Sequence, residues 1–268
     1  MQTVFTDQMG REVSIGCPPR RIVSLVPSQT ELLYDLGLDT EVAGITKFCI
    51  HPHHWFRNKV RVGGTKNFSI EKIMQLQPDL VIGNKEENTR EGIEILEKNV
   101  PLWMSDVNNL SDALFMIQTV GKITHKTHEA ARLAEKIQMG VAALPKPSGT
   151  LRVLYLIWQT PLMAAGHQTF INDMLTNVCG FTNALPPSLT RYPELTASFL
   201  QTCQPDVVFL SSEPYPFKQN HVSAIQELVP NSLVVLVNGE MFSWYGSRLL
   251  QSVTYFQQLI ADMNALAH

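Results

Sequence analysis

Residues 73–82 read IMQLQPDLVI, and residues 200–210 read LQTCQPDVVFL. Each stretch is an amphipathic segment, then Gln-Pro-Asp, then an apolar run typical of a buried strand. The two prolines, Pro78 and Pro205, lie close to half the chain length apart. A repeat at half-length predicts two similar lobes, and the strands that alternate with helices around each copy indicate parallel α/β packing.

The segment between the two copies has the periodicity of a helix. Apolar residues recur mostly every three or four positions from Leu110 to Leu144, with one gap across residues 124–129. About 34 residues at 1.5 Å each would make a rigid rod of about 50 Å. We therefore expect an α/β fold with an N-terminal lobe at 1–108, one long connecting helix at 109–145 and a C-terminal lobe at 146–268.

The front of the chain predicts how the first lobe begins. Residues 21–26 read RIVSLV, which is typical of a buried strand. Ser28 stands three residues before Glu31, the spacing of a capping box, and this predicts a helix from Gln29 to Leu36. A strand followed at once by a helix is the repeating unit of a parallel α/β lobe.

Composition excludes several classes of protein. The net charge of -3 gives no basic footprint for nucleic acid. No stretch approaches the roughly 20 apolar residues that cross a bilayer, and no secretory signal follows Met1. We expect a periplasmic or otherwise extracytoplasmic protein if a signal has been removed, and a cytoplasmic one if Met1 is the native start. The widely spaced cysteines are expected to be free thiols, mostly buried.

Sequence motifs of the common enzyme classes are missing. The chain has no glycine-rich phosphate loop, no G-x-S-x-G elbow and no H-E-x-x-H pair. Asp79 and Asp206 are not expected to be catalytic carboxylates, because each follows a proline and precedes a buried strand. An aspartate in that position caps or turns the chain.

An ordered set of motifs carries a family resemblance. RIVSLVPSQTE at 21–31, VGGT at 62–65, IEKI at 70–73 and the two Gln-Pro-Asp strands occur in this order. Together they resemble the substrate-binding proteins of ABC importers for vitamin B12, iron–siderophore complexes and haem, and the vitamin B12-binding members most of all. The resemblance covers nearly the whole chain. It implies the class III binding-protein architecture, a ligand between the lobes, a monomer and no enzymatic activity.

The resemblance also implies candidate ligand contacts, because a corrin or porphyrin presents a broad apolar face with polar edges. Thr65 and Asn84 stand where the vitamin B12-binding members have tryptophan, which implies a more polar pocket on that side. The expected ligand is cobalamin-like, with a ferric siderophore or haem next, and no intrinsic cofactor is expected. By motif position the candidate contacts are Phe48, Trp158, Tyr192 and Glu240, and Trp244 and Tyr245 are added because they lie in the predicted loop beside Glu240.

Three histidines, His51, His53 and His54, follow Phe48 closely. Histidine is the commonest protein metal ligand, and one of the three could ligate the metal of a bound haem or corrinoid. Their spacing matches no zinc signature. A solvated loop is the favoured interpretation, and metal ligation by these histidines is the alternative.

Members of the resembled family dock onto their permease through one glutamate on each lobe. Glu71 matches the first glutamate by motif position, eight residues before Asp79, whereas Ser198 stands eight residues before Asp206. Glu194 is the nearest acidic substitute. Either Glu71 and Glu194 form the docking pair, or the chain serves no ABC permease.

Other functions stay open on the sequence alone. A chelatase-like or metallocofactor-handling enzyme of related two-lobed architecture would insert metal and retain it. A cytoplasmic cobalamin-binding protein without a permease would bind the ligand and dock nowhere. A purely structural or interaction protein would bind no small ligand.

Overall fold

Two parallel β-sheets, one in each half of the chain, organise the fold. The computed structural model describes residues 2–266. These residues divide by backbone contacts into two compact units, which we call the first unit and the second unit. The first unit contains residues up to Val107, Ser111–Gln138 and Trp244–Arg248, and the second unit contains Asn108–Leu110, Met139–Ser243 and the residues from Leu249 onward.

The elements up to residue 142 build most of the first unit. In order they are β1 (Gln2–Thr6), β2 (Glu12–Gly16), β3 (Ile22–Ser24), α1 (Pro27–Asp35), β4 (Val42–Ile45), α2 (His53–Asn58), β5 (Val60–Arg61), α3 (Ile70–Gln75), β6 (Leu80–Asn84), α4 (Arg90–Leu96), β7 (Leu102–Ser105), α5 (Leu110–Ile123) and α6 (Thr127–Ala142).

The sheet of the first unit has the strand order β5-β4-β3-β6-β7, and all its pairings are parallel. All residues of β3, β6 and β7 are buried. A parallel sheet is covered on both faces, which explains why its strands are continuous apolar runs and do not alternate with polar residues. Strands β1 and β2 form a separate antiparallel hairpin, whose turn includes Gly10 at φ 77°.

The remaining elements build the second unit. In order they are β8 (Arg152–Trp158), β9 (Met163–Ala164), α7 (Phe170–Asp173) continued by a π-helical turn (Met174–Val178), β10 (Thr182–Asn183), α8 (Ala197–Cys203), β11 (Val207–Ser211), α9 (Gln219–Leu228), β12 (Leu233–Val237), α10 (Gly239–Ser243) and α11 (Leu249–Leu266). Strands β10-β8-β11-β12 are parallel neighbours, and β9 adds to β8 in the antiparallel sense. The α/β class with parallel sheets is therefore confirmed.

The two Gln-Pro-Asp copies form the same kind of turn. Gln77 and Gln204 both adopt left-handed backbone conformations, with φ of 47° and 42°. The Asp79 carboxylate then accepts the backbone N–H groups of Arg20 and Arg21 at 2.7 and 2.8 Å. Asp206 accepts the backbone N–H of Arg152 at 2.7 Å. Both aspartates thus have a structural role, as expected, but they tie the start of one strand to its neighbour, whereas the sequence predicted a local cap or turn.

The segment expected as one continuous helix consists of two, α5 and α6. The chain leaves α5 through His125 at φ 57°, and the N–H of Lys126 donates to the carbonyl of Gly121 at 2.7 Å. The His125 N–H donates to Lys122 O at 3.3 Å, which completes a Schellman C-cap. This cap lies in the gap of the apolar pattern, and it corrects the expected single rod over 109–145.

Helix α1 also begins differently from the prediction. It starts at Pro27, where a proline is tolerated because the first turn needs no N–H donor. Val26 is the N-cap, and no side chain caps the helix. Ser28 and Glu31 therefore do not form a capping box, and the Glu31 carboxylate has another partner.

The two compact units differ from the predicted lobes at the connecting segment, which is divided between them, and at one stretch near the C-terminus. Trp244–Arg248 belongs to the first unit, although the residues on both sides belong to the second. Gly246 packs closely against α1 of the same unit, because a Cβ added there would stand 2.4 Å from the carbonyl oxygen of Ser28. We call Trp244–Arg248 the inserted segment.

Candidate functional site

The carboxyl ends of parallel strands are where ligands bind in open α/β sheets. In the first unit the loop after β4 carries Phe48 and His51. In the second unit Trp158 ends β8, and Glu240 follows β12. Four predicted site residues therefore lie at or just after the carboxyl ends of strands, two in each sheet.

Phe48 is the most exposed aromatic candidate. Its side chain is 49% exposed, and the Lys47 ammonium lies 5.0 Å from the ring centroid. The backbone of this loop is anchored to the segment after β5, because the Lys47 N–H donates to Gly63 O at 2.7 Å. The ring therefore has an open face on a fixed loop.

The histidine cluster divides into three environments. His51 is half-buried and stands edge-on to Trp244 at 5.4 Å between ring centroids. His53 and His54 are exposed at the start of α2, and His54 stands edge-on to Tyr34 at 5.2 Å. Within residues 2–266, no group of three or more His, Cys, Asp or Glu side chains is placed to hold a metal ion. Ligation of the metal of a bound chelate by one histidine stays a prediction.

Trp244 and Tyr245 are buried in the first unit, with 7% and 6% of their surface exposed. The Arg248 guanidinium lies 4.9 Å from the Trp244 ring centroid. Burial raises the pKa of the Tyr245 hydroxyl well above its ordinary value. These two aromatics therefore fix the inserted segment in place and offer little surface to a solute.

Arg248 binds Glu31 through a bidentate ion pair that sequence reasoning missed. Burial raises the pKa of the Glu31 carboxyl, while the hydrogen bonds and the charge of Arg248 act in the opposite direction. The two residues are separated by most of the chain, so no local pattern connects them. The arginine of an otherwise uncharged run, MFSWYGSRLL at 241–250, was the one available signal.

Asn84, which was expected to line the pocket, forms hydrogen bonds within the first unit. Its side-chain oxygen accepts the backbone N–H groups of Glu86 and Glu87 at 2.8 and 3.1 Å, and its Nδ2 donates to Ser105 Oγ at 2.9 Å. Thr65 is buried as well, and its carbonyl accepts Asn88 Nδ2 at 2.9 Å. The polar atoms of the Asn84 side chain are thus used inside the first unit, and a more polar pocket on the side of Thr65 and Asn84 stays a prediction.

In the second unit the candidates lie apart along the chain. Trp158 is 38% exposed. Tyr192 is half-buried, with the Arg191 guanidinium 6.0 Å from its ring centroid. Glu240 is half-buried in the first turn of α10, where its backbone N–H donates to Asn238 Oδ1 at 3.1 Å.

An aromatic cluster beside Trp158 was not predicted. It consists of Tyr215, Phe217 and His221, on the loop after β11 and the first turn of α9. The Tyr215 N–H donates to Ile157 O at 3.3 Å, which fastens this loop to the end of β8. The available sequence signal was the spacing of the aromatic residues in EPYPFKQNH at 213–221. The two prolines in this stretch make it look like an ordinary loop.

The docking candidates are surface residues. Glu71 is exposed in the first turn of α3, and its carboxylate accepts a hydrogen bond from Gln75 Nε2 at 3.2 Å. Ser198 occupies the same position of α8, where its hydroxyl is 2.9 Å from Thr196 Oγ1. Glu194 is exposed ahead of that helix. The two copies of the repeat therefore place a residue at the same position of α3 and α8. That residue is acidic in the first copy and a serine in the second.

Two further sequence expectations can be compared with the described residues. Cys17, Cys49, Cys179 and Cys203 are free thiols, and Cys49 and Cys179 are buried. Among residues 2–266, none of the helices combines the length and the apolar character that crossing a membrane requires.

Comparison with known proteins places the chain among binding proteins. A family model described as "Periplasmic binding protein" matches residues 22–232. The vitamin B12-binding protein of Pectobacterium carotovorum subsp. carotovorum (strain PC1) is 23% identical over 258 residues, which are 93% of this chain and 90% of that protein. An uncharacterized ABC transporter substrate-binding lipoprotein, YvrC of Bacillus subtilis (strain 168), is 26% identical over 75% of this chain and 67% of its own length.

Solved structures share the fold. The petrobactin-binding protein YclQ of Bacillus subtilis superimposes with a TM-score of 0.82 at 18% identity, covering 97% of this chain and 99% of that one. The periplasmic haem-binding protein RhuT of Roseiflexus sp. RS-1, in its apo form, gives a TM-score of 0.79 at 21% identity, with 93% and 99% covered. At these identities the likeness confirms the architecture and leaves the solute open.

Proposed function

Because the chain belongs to the periplasmic binding protein family, we propose that it captures a metal-containing chelate outside the cytoplasm and delivers it to an ABC importer. The family is one of binding proteins, in agreement with the expectation that the chain is not an enzyme. Capture would be reversible and without covalent chemistry.

One observation carries the proposal beyond the family. Exposed aromatic faces stand at the carboxyl ends of both parallel sheets, Phe48 in the first unit and Trp158 in the second. An exposed aromatic ring offers a solute a large apolar contact area. We propose both as solute contacts, with Tyr192 and Glu240 at the polar edge of the solute.

The proposed solute is cobalamin-like, with a ferric siderophore or haem next. The curated relative with the longest alignment given above is a vitamin B12-binding protein. The solved structures named above bind petrobactin or haem according to their descriptions, which supports a chelate as the common class. A protein that binds the chelate but has no permease partner is the second candidate, because Ser198 lacks the acidic group of Glu71.

A thermal-shift screen with cyanocobalamin, haemin and ferrioxamine B tests the proposal. A solute that binds only the folded chain, at 100 times its Kd, adds about 2.7 kcal/mol of stability and raises the melting temperature. We expect a shift with one of the three chelates, reduced in Phe48→Ala. Val4→Ala is the matched control, since Val4 is also an exposed apolar residue of the first unit. No shift with any chelate would overturn the proposal.

We further propose Glu71 and Glu194 as permease contacts. The test is ATP hydrolysis by the importer of the source cell, in membrane vesicles, stimulated by the loaded binding protein. Glu71→Gln should reduce the stimulation, and Ser198→Glu should increase it. Glu91→Gln is the control, because Glu91 is exposed in the first turn of α4, as Glu71 is in α3. Equal stimulation by Glu71→Gln and the wild type would favour a protein without this docking mode.

A further inference from the structure

One segment of the first unit carries basic residues and no acidic ones. Residues 42–70 contain no Asp or Glu, although acidic residues outnumber basic ones, 24 to 21, over the whole chain. The segment holds five basic residues, which are Lys47, Arg57, Lys59, Arg61 and Lys66. The chain thus combines a small negative net charge with a strongly basic segment, and such an asymmetry of sign points to an interaction surface.

Four of these five side chains are exposed and lack an acidic partner. Lys59 is the exception, since it is half-buried and its Nζ lies 3.5 Å from the carboxylate of Asp39. Within residues 2–266, none of the other four has a carboxylate at ion-pair distance. Their charge is therefore directed at the solvent, where it attracts an oppositely charged surface.

Helix α2 and strand β5 bring part of this charge to one side of the first unit. Strand β5 is an edge strand of its sheet. Trp55 is the buried residue of α2, and Arg57 is exposed in the last turn of that helix. The Arg61 guanidinium, on β5, lies 5.2 Å from the Phe56 ring centroid, which places it beside α2. We call Phe56, Arg57, Val60 and Arg61 the basic flank.

The basic flank also exposes apolar surface. Val60 is 46% exposed next to Arg61, and Phe56 is half-buried. A guanidinium over an aromatic ring presents charge and apolar surface at the same place. The interface of a membrane matches this mixture, because it has charged headgroups above acyl chains. The charges alone would suit an acidic peptide equally well, and the exposed apolar surface favours a membrane.

We propose that the basic flank is the surface through which the chain contacts a membrane rich in acidic phospholipids. Arg57 and Arg61 bind lipid phosphates, and Val60 reaches the boundary with the acyl chains. The inference goes beyond the proposed function, because no residue of the basic flank is a proposed contact of the solute or of the permease.

The test is co-sedimentation of the full chain, without added chelate, with vesicles of phosphatidylcholine alone or mixed with phosphatidylglycerol. We expect binding to the mixed vesicles only, and it should weaken as the salt concentration rises. Arg57→Gln combined with Arg61→Gln should weaken binding about 25-fold, since each basic residue near an acidic membrane contributes about fivefold. Melting temperatures check that the variants are folded.

Arg132→Gln combined with Lys136→Gln is the matched control. Both residues are exposed on α6 in the first unit, and this double variant removes the same charge as the variant of the basic flank. Glu129 and Glu135 are exposed on the same helix, so the surface there has both signs of charge. We expect the control to bind the mixed vesicles as the wild type does.

The apolar part of the contact has its own readout. Val60→Ser should weaken binding to the mixed vesicles by a factor that salt leaves unchanged, because salt screens charges and the burial of apolar surface does not depend on them. A purely electrostatic contact would show no effect of Val60→Ser at any salt concentration, and this would overturn the insertion of Val60.

Three outcomes would overturn the membrane contact as a whole. The first is no binding to the mixed vesicles, and the second is an equal loss in the variant of the basic flank and in the control. The third is binding to poly-glutamate without binding to vesicles, which would make the partner an acidic protein. Because the assay contains no chelate, each of these outcomes leaves the proposed function standing, and a failed chelate screen leaves the membrane contact standing.

Discussion

The Arg248 guanidinium donates two hydrogen bonds, of 2.8 and 2.6 Å, to the carboxylate of Glu31, which is 217 positions away in the chain. The two side chains are only 7% and 10% exposed. Both residues belong to the first unit, because the inserted segment does. Since water is largely excluded, each charge depends on the other for its stabilisation.

Removing one partner of this pair should be far more damaging than removing both. Arg248→Met leaves a buried carboxylate without its counter-charge, and we expect the free energy of unfolding to fall by about 3–5 kcal/mol. Glu31→Leu combined with Arg248→Met should recover most of that loss. Urea unfolding followed by tryptophan fluorescence measures both, because Trp55, Trp103 and Trp244 lie in the first unit.

Arg90→Met is the control for the loss of an arginine as such. Arg90 pairs with Glu94 at 2.6 Å on the surface of α4, with 88% and 47% of the side chains exposed. A surface pair of this kind contributes about 0.2–1 kcal/mol. A loss of that small size in Arg248→Met would contradict the importance given to the buried pair.

The stability of the first unit should depend on pH through Glu31. Its pKa is raised in the folded protein, mainly by burial, so the folded chain takes up this proton at a higher pH than the unfolded chain does. The contribution of Glu31 to the unfolding free energy therefore rises as the pH falls through the raised folded pKa. It becomes constant below the unfolded value. Glu31→Gln should remove this part of the pH dependence, and parallel curves for the two proteins would refute it.

Gly246 should tolerate no side chain. A Cβ there would stand 2.4 Å from Ser28 O and 3.4 Å from the Leu32 Cβ, and the first of these is backbone. We expect Gly246→Ala to lower the unfolding free energy by about 1–3 kcal/mol, the usual cost of forced overpacking. Gly149→Ala is the control, since nothing lies within 4 Å of its added Cβ. Thermal unfolding that ranks the two variants equally would contradict the tight contact.

The two copies of the Gln-Pro-Asp turn should differ in their sensitivity. Asp79 accepts two backbone N–H groups and Asp206 accepts one. Asp79→Ala should therefore destabilise the chain more than Asp206→Ala, by about 1 kcal/mol, since one further hydrogen bond to a charged group is lost. Denaturant midpoints of the two variants test the order. The reverse order would mean that the Arg152 guanidinium, which binds Gln204 O at 3.0 Å, has the larger part in the second turn.

The elements that the sequence predicted well are those with local causes. Strands β6 and β11 are apolar runs after a proline turn, and the turn geometry follows from three adjacent residues. The break between α5 and α6 was missed because His125 is an ordinary residue in helix propensity, and its left-handed conformation is stabilised by backbone bonds to Gly121 and Lys122. A gap in the apolar pattern was visible, but a gap does not specify a cap.

The candidate site was predicted less completely, because its contacts join distant parts of the chain. Asn84 is a polar residue of the kind that often lines a pocket. Its polar atoms are nevertheless used in hydrogen bonds with Glu86, Glu87 and Ser105. Tyr215 escaped attention since its ring is ordered by Trp158 and Gln159, which lie 56 or more positions earlier. Phe48 and Trp158 were named by their motif positions in the resembled family, and their role as contacts stays a prediction.

The inserted segment has a consequence for the order in which the chain can fold during synthesis. The ribosome releases Glu31 early, whereas Arg248 follows β8, β11 and β12. The nascent first unit must therefore carry an unmatched acidic group at its centre while the whole second sheet emerges. Only when residues 244–248 leave the exit tunnel can the first unit acquire its last piece. The unit that is translated first is thus completed only after the whole sheet of the other unit has been synthesised.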